Sequence, residues 1–323
     1  MMLPQDMYEA CVARAALAPT VHNTQPARWV RDGEVLSLFC DTDVGLSVGD
    51  PTGRDAALSC GAVLEAMVLA LSAEGYQAQV TYTGAGCRPG QGLVPVAHVA
   101  LETGAEDGLH AQLEARFTWR GPFTAGSAAL FGWTRKDTRL VLDEPGRRWL
   151  AERNDTASLA IMQDANFRQE LVSWMRLRAS HPRAGLDGMD RDAMRMSAGQ
   201  ARLAPFVLTK LWGLLDRIGI TPTLTTEQDV TLTAPVIGLF YRPKSENPVE
   251  SGRAYLRLCL EATSLGFAGW PMAALSDHVP TCEEICKRFG IPLDQRLVQV
   301  IRFGVPTGDA PARARRPLSE VLR

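Results

Sequence analysis

An excess of charge of either sign is missing: 34 Lys and Arg stand against 36 Asp and Glu, a net charge of −2. No overall basic field recruits nucleic acid or an anionic membrane surface, so neither is an expected partner. No apolar run approaches the ~20 residues of a bilayer crossing, and no transmembrane helix is expected. The opening "MMLPQDMYEACVARAAL" carries early acidic residues and lacks a basic segment followed by an apolar one, unlike a secretory signal. Cysteine pairing is also missing. The seven cysteines (Cys11, Cys40, Cys60, Cys87, Cys259, Cys282, Cys286) are odd in number and irregular in spacing, which suits a reducing, cytoplasmic setting rather than a disulfide framework. Cys282 and Cys286 are one helical turn apart without a second ligand pair, and buried thiols describe them better than zinc. The five histidines show no metal-ligand spacing, so a metal-dependent chemistry has no support.

What is present suffices for a large core: 323 residues, 46% hydrophobic, enough for one large domain or two ordinary ones. Ala56 to Ala73 and Gly252 to Leu265 read as buried helices, each stopped by a glycine. Strand-like runs, "AQVTYTG", "VPVAHVAL", "RLVL", "APVIGLFYR" and "RLVQVIRFG", are rich in Val and Ile and bounded by Gly or Pro. The alternation predicts a layered α/β or α+β fold. Setting Ser59–Tyr76 against Glu250–Phe267 aligns Gly61 with Gly252, Leu69 with Leu260 and Gly75 with Gly266. Two generic buried helices would do this, and so would a duplicated unit packed as a pseudo-dimer. Residues 151–220, rich in Met, Trp and Arg, read as a helical insertion or lid.

Two motif-like stretches fail on context. "GLSVG" (Gly45–Gly49) matches a nucleophile elbow, but Ser47 runs into a turn where the elbow requires a helix. "GAGCRPG" (Gly84–Gly90) has the wrong spacing for a dinucleotide loop and is followed by a strand. "ARFTWRGPF" is more informative. Arg116, Thr118 and Arg120 alternate, so in an extended segment they share a face suited to an anion with polar attachments; a solvated edge strand is the competing reading. A second basic group, Arg313, Arg315 and Arg316, lies near the C-terminus and could grip the same phosphate.

Four stretches then form a consistent set. "APTVHNTQP" resembles the amide-rich "APS-x-x-N-x-QP" loop of the FMN-dependent nitroreductase family. "RFTWRGPF" resembles its R-x-S-x-R/K flavin signature, "RARRPLSEVL" its basic closing motif, and "EATSLGFAGWPMAAL" its helix–Gly–loop along the isoalloxazine ring. The distribution of motifs resembles the long Acg-type subgroup, a fused pseudo-dimer with one flavin site under an inserted lid.

The resemblance implies an α+β, three-layer nitroreductase-like fold, with a mixed sheet flanked by helices. It implies a first repeat over 1–115 and a second over 116–323 that carries the lid at about 151–220. It implies FMN held by Pro19, Thr20, Val21 and Asn23 from one half, with Gln25 bracing the loop and His22 either structural or facing the pocket. Arg116, Arg313 and Arg315 hold the phosphate, with Arg316 a further basic group. Thr118 meets the ribityl chain, Arg120 the N1–C2 edge, and Pro271, Ala273 and Ala274 the N5 side. No catalytic side chain and no metal are implied, since the chemistry belongs to the flavin. NAD(P)H is the implied electron donor and a nitro compound or quinone the small-molecule acceptor. Sequestration of FMN with little turnover is the alternative, because Ala27 stands where tryptophan often follows the "QP" of the loop. A monomeric pseudo-dimer and a homodimer both remain open.

Overall fold

The computed structural model describes residues 3–84, 86–124 and 133–323. Helix α1 (Gln5–Ala15) precedes strands β1 (Ala27–Asp32) and β2 (Val35–Asp41), helix α2 (Arg54–Ala73), and strands β3 (Tyr76–Tyr82) and β4 (Leu93–Thr103). Strand β5 (Thr138–Val141) and helices α3 (Glu144–Met162) and α4 (Ala165–Ser173) follow. The short pair β6 (Met175–Arg176) and β7 (Met189–Asp190) leads to helices α5 (Ala198–Phe206), α6 (Trp212–Arg217), α7 (Thr221–Thr225) and α8 (Gln228–Leu232). Strand β8 (Val236–Pro243), helix α9 (Pro248–Ser264), strand β9 (Ala268–Pro271), helices α10 (Ala274–Asp277) and α11 (Val279–Arg288), strand β10 (Gln295–Gly304) and helix α12 (Leu318–Val321) complete the chain.

The two main sheets have matching topology. The first is ordered β1-β2-β4-β3 and the second β5-β8-β10-β9, with every ladder antiparallel. In each, the long apolar helix (α2 or α9) leads into the strand at one edge. Two isolated parallel bridges then bring segments distant in the chain to the edges of these sheets. Leu322, near the C-terminus, lies beside Trp29 of β1, and Thr118 lies beside Gly269 of β9. The Arg323 N–H donates to the Trp29 carbonyl at 2.9 Å, and the Trp119 N–H to the Gly269 carbonyl at 3.1 Å.

Helices α2 and α9 meet through the aligned glycines. A Cβ on Gly61 would lie 2.0 Å from the Val249 carbonyl oxygen, and one on Gly252 would lie 2.1 Å from that of Leu58. Only hydrogen at both positions allows so close a crossing. The helices also end alike: Gly75 and Gly266 adopt φ of +82° and +79°, the left-handed stop that glycine tolerates.

Helix α2 departs from one expectation. It has 20 residues, and an 18-residue window within it, with mean hydropathy 1.8, is apolar enough to cross a membrane, but 83% of that window is buried inside the protein. Leu64, Met67 and Leu71 pack there on Trp29, Leu36 and Leu38 of the first sheet. The second sheet is covered on both faces, by Leu258 and Ala262 of α9 on one and by Leu150 and Ile285 on the other. Leu150 and Ala151 of α3 are fully buried, so the expected insertion boundary at 151 falls inside a core helix. Its later part forms a small core of its own from Met175, Leu177, Met189 and Ala201.

Candidate functional site

The amide-rich loop is held in a conformation that L-residues rarely adopt. His22, Asn23 and Gln25 have φ of +44°, +55° and +52°, and such residues persist only where their surroundings over-determine them. The surroundings are specific. The Val21 N–H donates to Ser59 Oγ at 3.0 Å, and the Gln25 N–H to Thr20 Oγ1 at 3.1 Å. Asn23 Nδ2 donates to the carbonyls of Gly188 and Ala314, and the Gly188 N–H returns a bond to the Asn23 carbonyl. Gln25 Nε2 donates to the Leu186 carbonyl at 2.9 Å while its Oε1 accepts from the Arg316 N–H. Gln25 is therefore a brace, and what it braces is the junction of loop, insertion and C-terminal tail.

Arginines from distant parts of the chain converge behind this loop. Arg116 and Arg315 both donate to the Leu17 carbonyl, at 3.0 and 3.1 Å. Arg313 donates to the carbonyls of Arg116 and Glu114, and Arg315 also reaches Asn23 Oδ1 at 3.3 Å. Among the described residues, none of Arg116, Arg313 and Arg315 pairs with a carboxylate. Burial, reinforced by Arg116 and Arg313, pushes the Arg315 guanidinium down to about 9, and burial also lowers Arg116. Arg116 is 7% exposed, which disposes of the solvated-edge reading. Neutral carbonyl and amide oxygens take up terminal guanidinium donors of this cluster, while Arg315 Nε stays unpartnered among the described residues and the charge is uncompensated, the condition of an anion site.

Thr118 and Arg120 lie further along. With Trp119 they line a cavity of about 440 Å³ whose other walls come from the insertion (Arg191, Arg195) and the tail (Asp309). Arg120 donates to the Ala193 carbonyl and its guanidinium lies 5.7 Å from the Trp270 ring centroid, with Arg302 at 3.7 Å from the same ring. Pro271 ends β9 opposite Ile301, and Ala273 and Ala274 open α10. At the end of that helix Asp277 pairs with Arg54 at 2.9 Å, and burial with Asp55 nearby raises its carboxyl.

His22 connects these parts. Its Nδ1 is buried without a partner among the described residues. Burial, and then Arg120, lower its imidazole to about 4, while Asp55 and Glu170 pull the other way. The ring is neutral at physiological pH and faces the first turn of α2, Arg120 and the insertion together. Arg54, Asp55, Glu170 and Asp277 belong to this neighbourhood and were not marked by any sequence pattern.

Ser47 has a different task. Its hydroxyl donates to Glu170 Oε1 at 3.0 Å, as does the Val48 N–H, and the Gly49 N–H donates to Oε2 at 2.7 Å. The "GLSVG" turn is a cradle for a carboxylate of α4. A second tie is buried: Asp187 pairs with Arg176, Arg183 and Arg316, and Arg183 continues to Glu320 of α12. Cys282 and Cys286 are partly buried against the second core. In the Gly84–Gly90 loop, Ala85 lies outside the described residues and Cys87 is buried.

No protein-family model matches the chain. A protein of Mycobacterium tuberculosis assigned by name as NAD(P)H nitroreductase acg is 40% identical over 79 residues, 24% of each chain. The match thus spans about a quarter of the length of that relative. An uncharacterized protein of the same organism is 26% identical over an alignment covering 98% of this chain and 93% of its own. The crystal structure of the FMN-dependent nitroreductase NfnB from Mycobacterium smegmatis in complex with NADPH gives a TM-score of 0.37 at 19% identity, over 66% of this chain and 95% of that one. A quarter or less of this chain is thus similar to relatives named as nitroreductases.

Proposed function

We propose that this chain binds FMN where the amide loop, Arg116 and the C-terminal tail meet, and passes electrons from NAD(P)H to a nitro or quinone-type acceptor. The observation that carries this reading is the convergence of Arg116 and Arg315 on the Leu17 carbonyl, with no carboxylate partner among the described residues, behind a strained loop. The buried, unpartnered Nε of Arg315 and Nδ1 of His22 fit a polar ligand there. Arg116, Arg313 and Arg315 would hold the phosphate, Thr118 the ribityl chain and Arg120 the pyrimidine edge. Pro271, Ala273 and Ala274 would flank the ring, with Pro19, Thr20, Val21 and Asn23 approaching from the other half. The matching sheets support reading the chain as two fused repeats that share one site.

When bound, FMN supplies the acceptance and release of hydride. The chain's own residues orient and bias it. The cation of Arg120 favours negative charge developing on a nearby ring edge, and the neutral His22 leaves that field undiluted by a second cation. No side-chain acid or base is assigned, because solvent can supply the proton.

A second reading, FMN sequestration with little turnover, is favoured by the double tie of the insertion through Glu170 and Asp187. The test is a visible spectrum of the purified protein, analysis of the cofactor released by heat, and then addition of NAD(P)H in the absence of oxygen. Flavin bands, released FMN and rapid bleaching support the oxidoreductase. Bands that persist support sequestration. A protein that neither carries nor takes up FMN overturns both.

A further inference from the structure

Away from the arginine cluster, the first core gathers three thiols that the sequence scattered. Cys40 ends β2, Cys60 lies in the second turn of α2, and Cys87 comes from the glycine-rich segment after β3. Their sulfurs all lie within 4.8 Å of one another, and the residues are 0%, 0% and 1% exposed. Packing alone accounts for one buried cysteine in a core. It does not account for a glycine-rich loop being pinned so that its one thiol meets two others.

The pinning is specific on both sides of Cys87. A Cβ on Gly53 would lie 2.1 Å from the Cys87 carbonyl oxygen, so the loop seats where that side chain is missing. Beyond it, Thr42 accepts from the N–H groups of Gly90 and Gln91 and bonds twice with the Gly92 carbonyl, through its N–H and its hydroxyl. The Arg28 guanidinium, itself 1% exposed, is paired with Asp41, the residue that follows Cys40, at 2.8 Å.

The spacing suits one metal ion. A metal–sulfur bond of about 2.3 Å puts the sulfurs of a trigonal site ~4.0 Å apart, inside the observed limit. Among the described residues no His, Asp or Glu joins the three, whereas zinc takes four ligands. A soft monovalent ion is content with thiolates alone. We propose that Cys40, Cys60 and Cys87 form a buried three-sulfur site for a soft, thiophilic monovalent ion of the Cu(I) class. Its ligation staples β2, α2 and the Cys87 loop together. Each thiol that ligates as thiolate releases its proton to solvent, so binding tightens as pH rises.

The test is anaerobic titration of the reduced full-length protein with Cu(I) against a chromophoric Cu(I) chelator. One ion per chain is expected, with a rise in melting temperature on loading. Cys87→Ala should lose both, and the double variant Cys282→Ala/Cys286→Ala should keep both. X-ray absorption at the copper edge of the loaded wild type should show three sulfur neighbours, which decides the matter even where Cys87→Ala folds poorly. Absence of a one-to-one complex, retention of it in Cys87→Ala, its loss in the double variant, fewer than three sulfurs, or tighter binding of Zn(II) than of Cu(I) each overturns the proposal. None of these outcomes depends on whether FMN binds.

Discussion

The guanidinium groups of Arg116 and Arg315 meet on one atom, the carbonyl oxygen of Leu17. Two like charges sharing a neutral acceptor in a buried setting repel each other and are poorly solvated. An anion placed between them relieves both costs. Arg116→Ala or Arg315→Ala should therefore weaken FMN binding roughly 10- to 100-fold, since a charge-assisted bond contributes about 1.5–3 kcal/mol. The ligand-free variants should melt no lower than the parent. Fluorescence titration and calorimetry check the pair of outcomes; unchanged FMN affinity would show these arginines to be structural.

Glu170 accepts three hydrogen bonds from the Ser47–Gly49 turn and holds α4 against the site. Glu170→Gln keeps the size and loses the charge, at a cost of roughly 1–3 kcal/mol at this contact. Hydrogen exchange over residues 165–211 should speed up, and so should flavin reduction by NAD(P)H. Accelerated exchange without faster reduction would mean that this contact does not gate the donor.

Asp187 compensates Arg176, Arg183 and Arg316 at once and is 2% exposed. Asp187→Asn leaves buried cations unpaired and should cost about 3–5 kcal/mol. Limited proteolysis should then cut first between residues 176 and 197 or in the tail. A cut pattern like the parent's would contradict the role of Asp187 as the tie between insertion and tail.

The glycines at the helix crossing and at the helix ends separate close approach from backbone conformation. Gly61→Ala drives a Cβ to 2.0 Å from a carbonyl oxygen and should cost several kcal/mol, on the order of 3 or more. Gly75→Ala has open space and only its φ of +82° to oppose it, so about 1 kcal/mol is expected. Denaturant midpoints of the two variants check the order.

His22 provides the pH test. The folded imidazole is lowered to about 4 from its ordinary 6.5, so the unfolded chain takes up a proton first as pH falls. Stability attributable to His22 is intact above about 6.5, declines between that pH and about 4, and is level below, a total on the order of 3 kcal/mol. His22→Asn, tolerant of the left-handed backbone, should remove that part of the pH dependence. Parallel stability curves for parent and variant from pH 7 to 4 would contradict it.

What the sequence made legible had local causes. The prolines and amides around His22, the arginines at 116, 313 and 315, and the glycine alignments 61/252 and 75/266 are all visible as residue types at fixed offsets. The Gln25–Leu186 and Ser47–Glu170 contacts were not, because each joins loops whose separation along the chain carries no periodicity. Cys40, Cys60 and Cys87 defeated a search by spacing for the same reason: only the folding of β2, α2 and a glycine loop onto one point relates them. The expected insertion boundary at 151 has no counterpart in local sequence, since the apolar face of α3, which buries Leu150 and Ala151, runs through it without a break.

The close crossing of α2 and α9 at Gly61 and Gly252 has one further consequence. In a symmetric pair of identical subunits, every substitution is made twice, and a change that suits one side of the axis must be endured on the other. Here the two sides of the crossing are separate codons of one chain. A substitution on one helix is therefore not repeated on the other, and the two sides of the contact can differ in sequence everywhere except where they touch most closely. That freedom ends at the crossing itself, where neither glycine can change without moving the other's helix.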